Sequence, residues 1–253
     1  MTLFLHELRA QQMLFWRARE AAFFTFFLPV LFFLIFGSVY GDETIEAEGD
    51  IEGSAFLEAG MIGYGVAATC FAGLAITLVV RRESGVLKRV RSTPLPPATY
   101  IVSVLASTFL VFVIEAALII LLGRTLFGVA VPDGLFSLLV VLLVGAASFA
   151  AMGVGMTALV RSSEGSSAVI NAVYLPMAIL SGTFFTTESY PAFLEAVTVA
   201  LPLWHFTEVT RNVMLHGEPV WDNLSSLAVV LAWGAVGLFG AIRGFRWQPR
   251  EAR

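Results

Sequence analysis

Few residues in this chain could do chemistry, and they stand far apart. Glu115 lies alone in an otherwise uncharged run from Pro97 to Gly123. A carboxyl so placed must be protonated, paired, or turned toward protein or water. It reads as a substrate-path or coupling residue, as an interhelical hydrogen-bonding group, or as a residue set nearer the outer boundary. Asn171 and Tyr174 fall in another apolar run, where they either bond between helices or give polar contacts to a route between subunits. His205 neighbours Trp204 and Glu208, but no second histidine or cysteine stands at metal-ligand spacing, so a zinc centre is not expected. Cys70 is the only cysteine, which leaves neither an internal disulfide nor a cysteine metal cluster. Lys88 is the only lysine and Arg89 follows it, so no GxxxxGK[ST] phosphate loop can form. GxSxG, HExxH and a paired-carboxylate site are also missing. The expectation is a non-enzyme with no catalytic residue, bound cofactor or metal; any ATP-driven work requires another chain to hold the nucleotide.

The elements that must position these residues are membrane helices. Hydrophobic residues make up 58% of the 253 and charged residues 13%, about half the charge of a soluble domain. The charges are also segregated. The long apolar runs predict six spans, near Ala22–Tyr40, Ala59–Val80, Ala98–Leu122, Leu135–Val160, Ala168–Phe185 and Leu224–Ile242, since roughly 20 apolar residues cross the ~30 Å hydrocarbon layer. The first run is long, lacks a convincing cleavage site and has further spans behind it, so it reads as a retained helix rather than a signal peptide. With both ends cytoplasmic, thirteen Arg/Lys fall inside and two, Arg124 and Arg211, outside. This bias supports both the orientation and the span count. Nucleic acid is not an expected partner, because the few basic residues sit at membrane boundaries.

The chain reads as one all-α transmembrane domain, 1–253, with three distinctive segments. Residues 1–20 place Phe4, Leu8 and Phe15 on one helical side, with Gln11 intruding on it; this predicts a helix lying at the cytoplasmic interface, or a polar tail that becomes helical on entering the membrane. Residues 81–97 form the only dense cationic stretch. Val86, Leu87 and Val90 are expected on one side of a short helix there, with Lys88, Arg89 and Arg91 on the other, and Pro94, Pro96 and Pro97 stop it. Such an elbow either anchors to lipid or receives a partner. Residues 186–223 hold an apolar stretch too short to span, cut by Pro191, Pro202 and Pro219, which predicts either a broken hairpin dipping into the outer leaflet or an amphipathic cap. Gly41–Glu58 carries seven acidic residues and no basic one. Gly145, Gly153, Gly155 and Gly182, with Ser148 and Ala151, are expected to let helices approach closely. Trp221 and Trp247 read as boundary anchors.

Two stretches carry a resemblance. Glu83-Ser-Gly-Val-Leu-Lys-Arg-Val-Arg-Ser-Thr-Pro-Leu is one; Leu180-Ser-Gly-Thr-Phe-Phe-Thr-Thr-Glu-Ser-Tyr-Pro, followed by Leu201-Pro-Leu and Thr207-Glu-Val-Thr-Arg211, is the other. In their order within the six-span plan they resemble the membrane subunit of ABC-2-type exporters, particularly the daunorubicin-resistance-like permeases. Where that family often has proline after the paired aromatics this chain has Thr186, which shifts the expected bend to Pro191 and the surrounding glycine.

The resemblance implies a permease in the cell inner membrane, working with a second copy or close paralogue and two cytoplasmic ATPase subunits that use ATP and Mg2+. It implies an ATPase-coupling segment containing Glu83, Gly85, Leu87, Arg89 and Arg91, with smaller contributions from the N-terminal helix and the Arg161–Ser167 turn. Glu83 would pair with a basic group of the ATPase, and Gly85 would let the backbone approach closely. It implies a substrate path from spans one, two and five, with Phe26, Phe33, Phe184 and Phe185 as apolar surface and Asn171 and Tyr174 as polar contacts. Such a route suits a hydrophobic or amphiphilic drug or lipid. Export of a lipid-linked glycan is the alternative, and a membrane assembly protein that moves no substrate is a third.

Overall fold

The computed structural model describes residues 2–41, 43–45, 50–187 and 190–249. Asp42, Glu46 and Glu48 of the acidic segment, Glu188 and Ser189 of the second motif, and Arg250 and Arg253 of the tail lie outside the described residues. The chain begins with α1 (Thr2–Arg17) and, after a break at Ala18, α2 (Arg19–Tyr40). A two-stranded antiparallel hairpin follows, β1 (Thr44–Ile45) and β2 (Ile51–Glu52), so the fold is predominantly rather than wholly helical. Next, α3 (Gly53–Gly65) runs through a π-helical segment (Val66–Gly73) into α4 (Leu74–Glu83). The short α5 (Val86–Arg91) leads to α6 (Pro97–Leu122), which ends in a second π turn (Gly123–Phe127). The remainder is α7 (Leu135–Met156), α8 (Ser166–Leu180), α9 (Ala192–Ala200), α10 (Pro202–Leu215), a 3-10 turn (Val220–Asn223) and α11 (Leu224–Gly244).

Among the described residues, five helical units are long and apolar enough to cross a membrane: Arg19–Tyr40, Gly53–Glu83, Pro97–Phe127, Leu135–Met156 and Val220–Gly244. The fifth expected span is shorter than the apolar run suggests. α8 has 15 residues, about 22 Å at 1.5 Å per residue. It stops because Ser181 turns its hydroxyl back to the Met177 carbonyl and Gly182 adopts φ +69°, a conformation open mainly to glycine. Phe184 and Phe185 therefore sit in the turn after the helix, not at its end.

The α3–π–α4 unit is the centre of the molecule, packed against α2, α6, α7, α8 and α10. Phe56, Leu57, Met61, Ile62, Val66, Phe71 and Val79 are all buried along it. α7 and α11 meet backbone to backbone, as their small residues suggest: a Cβ on Gly155 would overlap the Gly237 carbonyl, and one on Gly234 would lie 2.8 Å from the Ser148 Cβ. On the opposite end from the elbow, Leu201 breaks α9 from α10 with an extended backbone. The Thr198 hydroxyl donates to the Leu180 carbonyl (3.0 Å), and the Trp233 indole N–H donates to that of Ala200 (3.1 Å). α9 and α10, of 9 and 14 residues, are each too short to span.

Candidate functional site

The cationic elbow is fixed from beneath by Arg82. Its side chain is 1% exposed, and its two terminal nitrogens donate to the carbonyls of Thr157 and Val160, each at 2.8 Å. Its Nε donates to Glu83 Oε1 at 2.7 Å. The guanidinium thus caps the end of α7 and ties it to the end of α4, a role that the sequence pattern does not reveal. Glu83, expected to meet a basic group of a partner, is already engaged by its own neighbour. Gly85 has φ +74°, and a Cβ placed there would meet nothing of its own chain within 4 Å; the left-handed turn from α4 into α5 accounts for a glycine here.

Leu87 is fully buried in a second core with Leu74, Leu78, Tyr100, Val104 and Ala150. It anchors α5 to its own chain, so the expectation that it meets the ATPase does not fit this conformation. Val86, expected on the same side, is turned outward. Six residues make less than two turns, and the left-handed start aims Leu87 and Val90 at the core. Lys88, Arg89 and Arg91 are left exposed. Beside them, Arg81 Nη1 donates to Gln11 Oε1 (2.7 Å) and to the Tyr100 hydroxyl (3.0 Å), while Gln11 Nε2 donates to Glu7 (2.7 Å). Gln11, the flaw in the apolar side of α1, is its most deeply buried residue and the link that holds α1 to the elbow.

The aromatic candidates separate into different places. Phe26 stacks on Trp16 with ring centres 5.6 Å apart, joining α2 to α1 at the elbow end. Phe33 is fully buried and packs edge-on against Phe127 at 5.2 Å, so it belongs to the core rather than to a path. Its neighbours Phe32 and Phe36 take the place expected of it: Phe184 lies 5.9 Å from Phe32, 5.4 Å from Phe36 and 5.9 Å from Tyr64. Tyr174 sits 5.8 Å from Tyr64 and is buried, Asn171 is half-buried one turn earlier on α8, and Phe185 is half exposed. The aromatic wall is therefore built by Phe32, Phe36, Tyr64, Tyr174, Phe184 and Phe185. Sequence alone misses the register because α2 is Phe-rich on every side.

Glu115 is 2% exposed and lies between α6 and the central helix. The Thr69 hydroxyl donates to its Oε2 at 2.7 Å, and its Oε1 has no hydrogen-bond partner. Gly65 makes the room: a Cβ there would stand 2.8 Å from Oε1. A second carboxyl, Glu58, is buried in the same helix pair over Gly123, with neither oxygen hydrogen-bonded. By sequence it closes the acidic outer segment. The central helix starts at Gly53, before the uncharged run, and so draws Glu58 inside. A cavity of about 220 Å³ opens between α1, α2, α4 and α6, lined by Gln11, Thr25, Thr69, Thr77, Arg81 and Ser107 among others.

The two parts of the second resembling stretch, the turn after α8 and the Thr207–Arg211 portion of α10, meet at the end away from the elbow through Arg211. Arg211 is buried, donates from Nη2 to the Gly182 carbonyl and lies 3.7 Å over the Phe56 ring. Gly182, rather than a proline, makes the bend, and Pro191 precedes α9. His205 is spent on structure: Nε2 lies 2.9 Å from the Val199 carbonyl and Nδ1 3.2 Å from the Ser226 hydroxyl.

Comparison with known proteins gives these features a context. A family model described as ABC-2 type transporter matches residues 2–215. A protein named putative transport permease YvfS, of Bacillus subtilis (strain 168), is 25% identical over 170 residues, which are 65% of this chain and 67% of the relative. The linearmycin resistance permease protein LnrN of the same strain is 24% identical over 180 residues, 69% of this chain and 45% of the relative. The protein named probable multidrug ABC transporter permease YbhR of Escherichia coli (strain K12) is 21% identical over 160 residues, 62% of this chain and 44% of the relative. The match thus spans less than half the length of the last two.

Proposed function

Since the chain belongs to the ABC-2 type transporter family, we propose that it is the permease subunit of an ATP-driven exporter that moves a hydrophobic or amphiphilic small molecule out of the cytoplasm or inner leaflet. The observation that carries this reading is the elbow: Lys88, Arg89 and Arg91 project from a helix that Leu87 and Arg82 hold rigidly to α4 and α7. A force applied to an exposed surface does work on the spans only if that surface cannot slip, and here it is bolted to two of them. The partner is a pair of cytoplasmic ATPase subunits that supply ATP and Mg2+; a second permease copy or close paralogue completes the membrane half.

In this reading α8 and the turn after it make a short sixth crossing, both termini are cytoplasmic, and the membrane is the cell inner membrane. α1 lies at the cytoplasmic interface with Leu5, Met13 and Trp16 turned outward and Arg9 and Arg17 also exposed, a mixture of apolar and basic residues suited to headgroups. α9 and α10 form a hairpin entering the outer leaflet, with the Val199 and Ala200 carbonyls at their break hydrogen-bonded to His205 and Trp233. The wall of Phe32, Phe36, Phe184 and Phe185 supports an apolar cargo. Its rings meet one another edge to face or tilted, none of them stacked, which favours an amphiphile over a glycan. Relatives named for multidrug transport and linearmycin resistance point the same way.

The test is co-purification with the ATPase encoded beside the gene, followed by transport in proteoliposomes screened against hydrophobic drugs and lipids. Arg89→Glu with Arg91→Glu is expected to abolish ATPase capture while leaving membrane insertion intact. Unchanged capture would remove the elbow from the interface, and capture without transport of any such compound would favour the glycan or assembly readings.

A further inference from the structure

The cavity beside α1 leads toward a buried acid. On the central helix Thr69, Thr77 and Arg81 recur in steps of four residues, with Gly73 between, and all four line it. Residues four apart on a helix share a face, so they form one track about 18 Å long from Arg81 at the elbow to Thr69 near mid-span. α1 and α6 add Gln11, Ser107 and Thr108, and α2 adds Thr25. A cavity of about 220 Å³ has room for several waters, and although most of its lining is apolar, the hydroxyls of this track give them partners. At the inner end Thr69 donates to Glu115, whose second oxygen is buried without a partner.

We propose that this cavity is a hydrated path from the cytoplasmic side and that Glu115 is a proton-binding site at its end. Both the track and the unsatisfied carboxyl stand independently of what the transporter moves. A buried carboxylate is held by a neighbouring positive charge or gives way to the neutral acid. The titratable groups near enough to feel the charge of Glu115 are Tyr64 and Cys70 from the central helix and Tyr174 from α8. Glu58 lies farther out along the same helix pair, and Arg81, already bonded to Gln11 and Tyr100, is at the far mouth with Glu7. The acid–base pairs Arg82–Glu83 and His205–Glu208 lie elsewhere. With no cation at hand among the described residues, Glu115 takes its proton from the waters above Thr69, and that proton changes how tightly α6 packs on the central helix over Gly65.

Two measurements on the full-length protein in liposomes test this. In a Cys70→Ala background, Thr69→Cys and Thr77→Cys are expected to react with a membrane-impermeant thiol reagent from the cytoplasmic face. Infrared difference spectra taken across pH should contain a protonated-carboxyl C=O band that exchanges in heavy water and is lost in Glu115→Gln. Labelling only from the outer face, no labelling at Thr69→Cys, or a titrating band that persists in Glu115→Gln would each overturn the proposal. The thiol experiment does not depend on Glu115→Gln folding. Neither measurement needs an ATPase or a cargo, so failure here is distinct from failure of the exporter reading.

Discussion

Replacing Arg82 with methionine keeps most of the aliphatic stem and removes the guanidinium. Two carbonyls, Thr157 and Val160, each lose a charged donor at 2.8 Å in a buried site, and such bonds contribute about 1.5–3 kcal/mol apiece. Glu83 also loses its partner, but at 15% exposure water recovers part of that contribution. The expected loss is about 3–5 kcal/mol, the range for breaking a buried charged network from one side. Arg81→Met is the internal control. It removes two hydrogen bonds, to Gln11 and Tyr100, at a partly exposed position, and should lose about 1–2 kcal/mol. The assay is reversible unfolding in mixed micelles by titration with a denaturing detergent, beside ATPase activity with and without transported cargo. Arg82→Met should unfold well before Arg81→Met, and its residual folded fraction should hydrolyse ATP without moving cargo. If Arg82→Met is no less stable than Arg81→Met, Arg82 does not brace the elbow, and force transmission through it is refuted as well.

Other substitutions probe the remaining parts. Gly85→Ala should destabilise by about 1–2 kcal/mol, because an L side chain resists a left-handed turn, and Gly85→Asn by less; normal coupled transport in Gly85→Val together with Glu83→Ala would remove both from the coupling segment. Phe33→Ala should lower unfolding stability by about 3–5 kcal/mol through a core cavity, whereas Phe184→Ala should change the KM for cargo with a smaller stability loss, and equal effects on both measurements would merge the two roles. Gly155→Leu should drive α7 and α11 apart at the Gly237 backbone and lose about 3 kcal/mol or more, read by the same unfolding titration; a variant of normal stability would show that the helix pair tolerates separation.

Large features are legible because charge in membrane helices is sparse and its placement is costly. The cationic elbow, the helical units and the close-packing small residues of α7 follow from charge segregation and residue size; that α11 is the helix they meet does not. Which side of a helix faces inward is much harder to read. In α2, phenylalanines at 23, 24, 26, 27, 32, 33 and 36 surround the axis, so nothing in the pattern distinguishes buried Phe33 from Phe32 and Phe36 at the wall. Polar exceptions in apolar surroundings are the stronger signals. Gln11, Glu58 and Arg82 each look like an irregularity or part of a charge run, and each is buried. Their meaning depends on partners far along the chain, Arg81, Gly123 and Val160, which local spacing does not reveal. The π segment at Val66–Gly73 leaves no periodic trace, since an uncharged run made mostly of small residues reads alike in either winding.

The meshing of α7 with α11 restricts how any cycle of opening and closing can proceed. With Gly155 against Gly237 and Gly234 against Ser148, turning α11 about its axis would drive Val236 or Leu238 into the opposite backbone. The two helices must therefore travel as a single post. Displacement falls instead to α2, whose inner side rests largely on rings that can roll over one another.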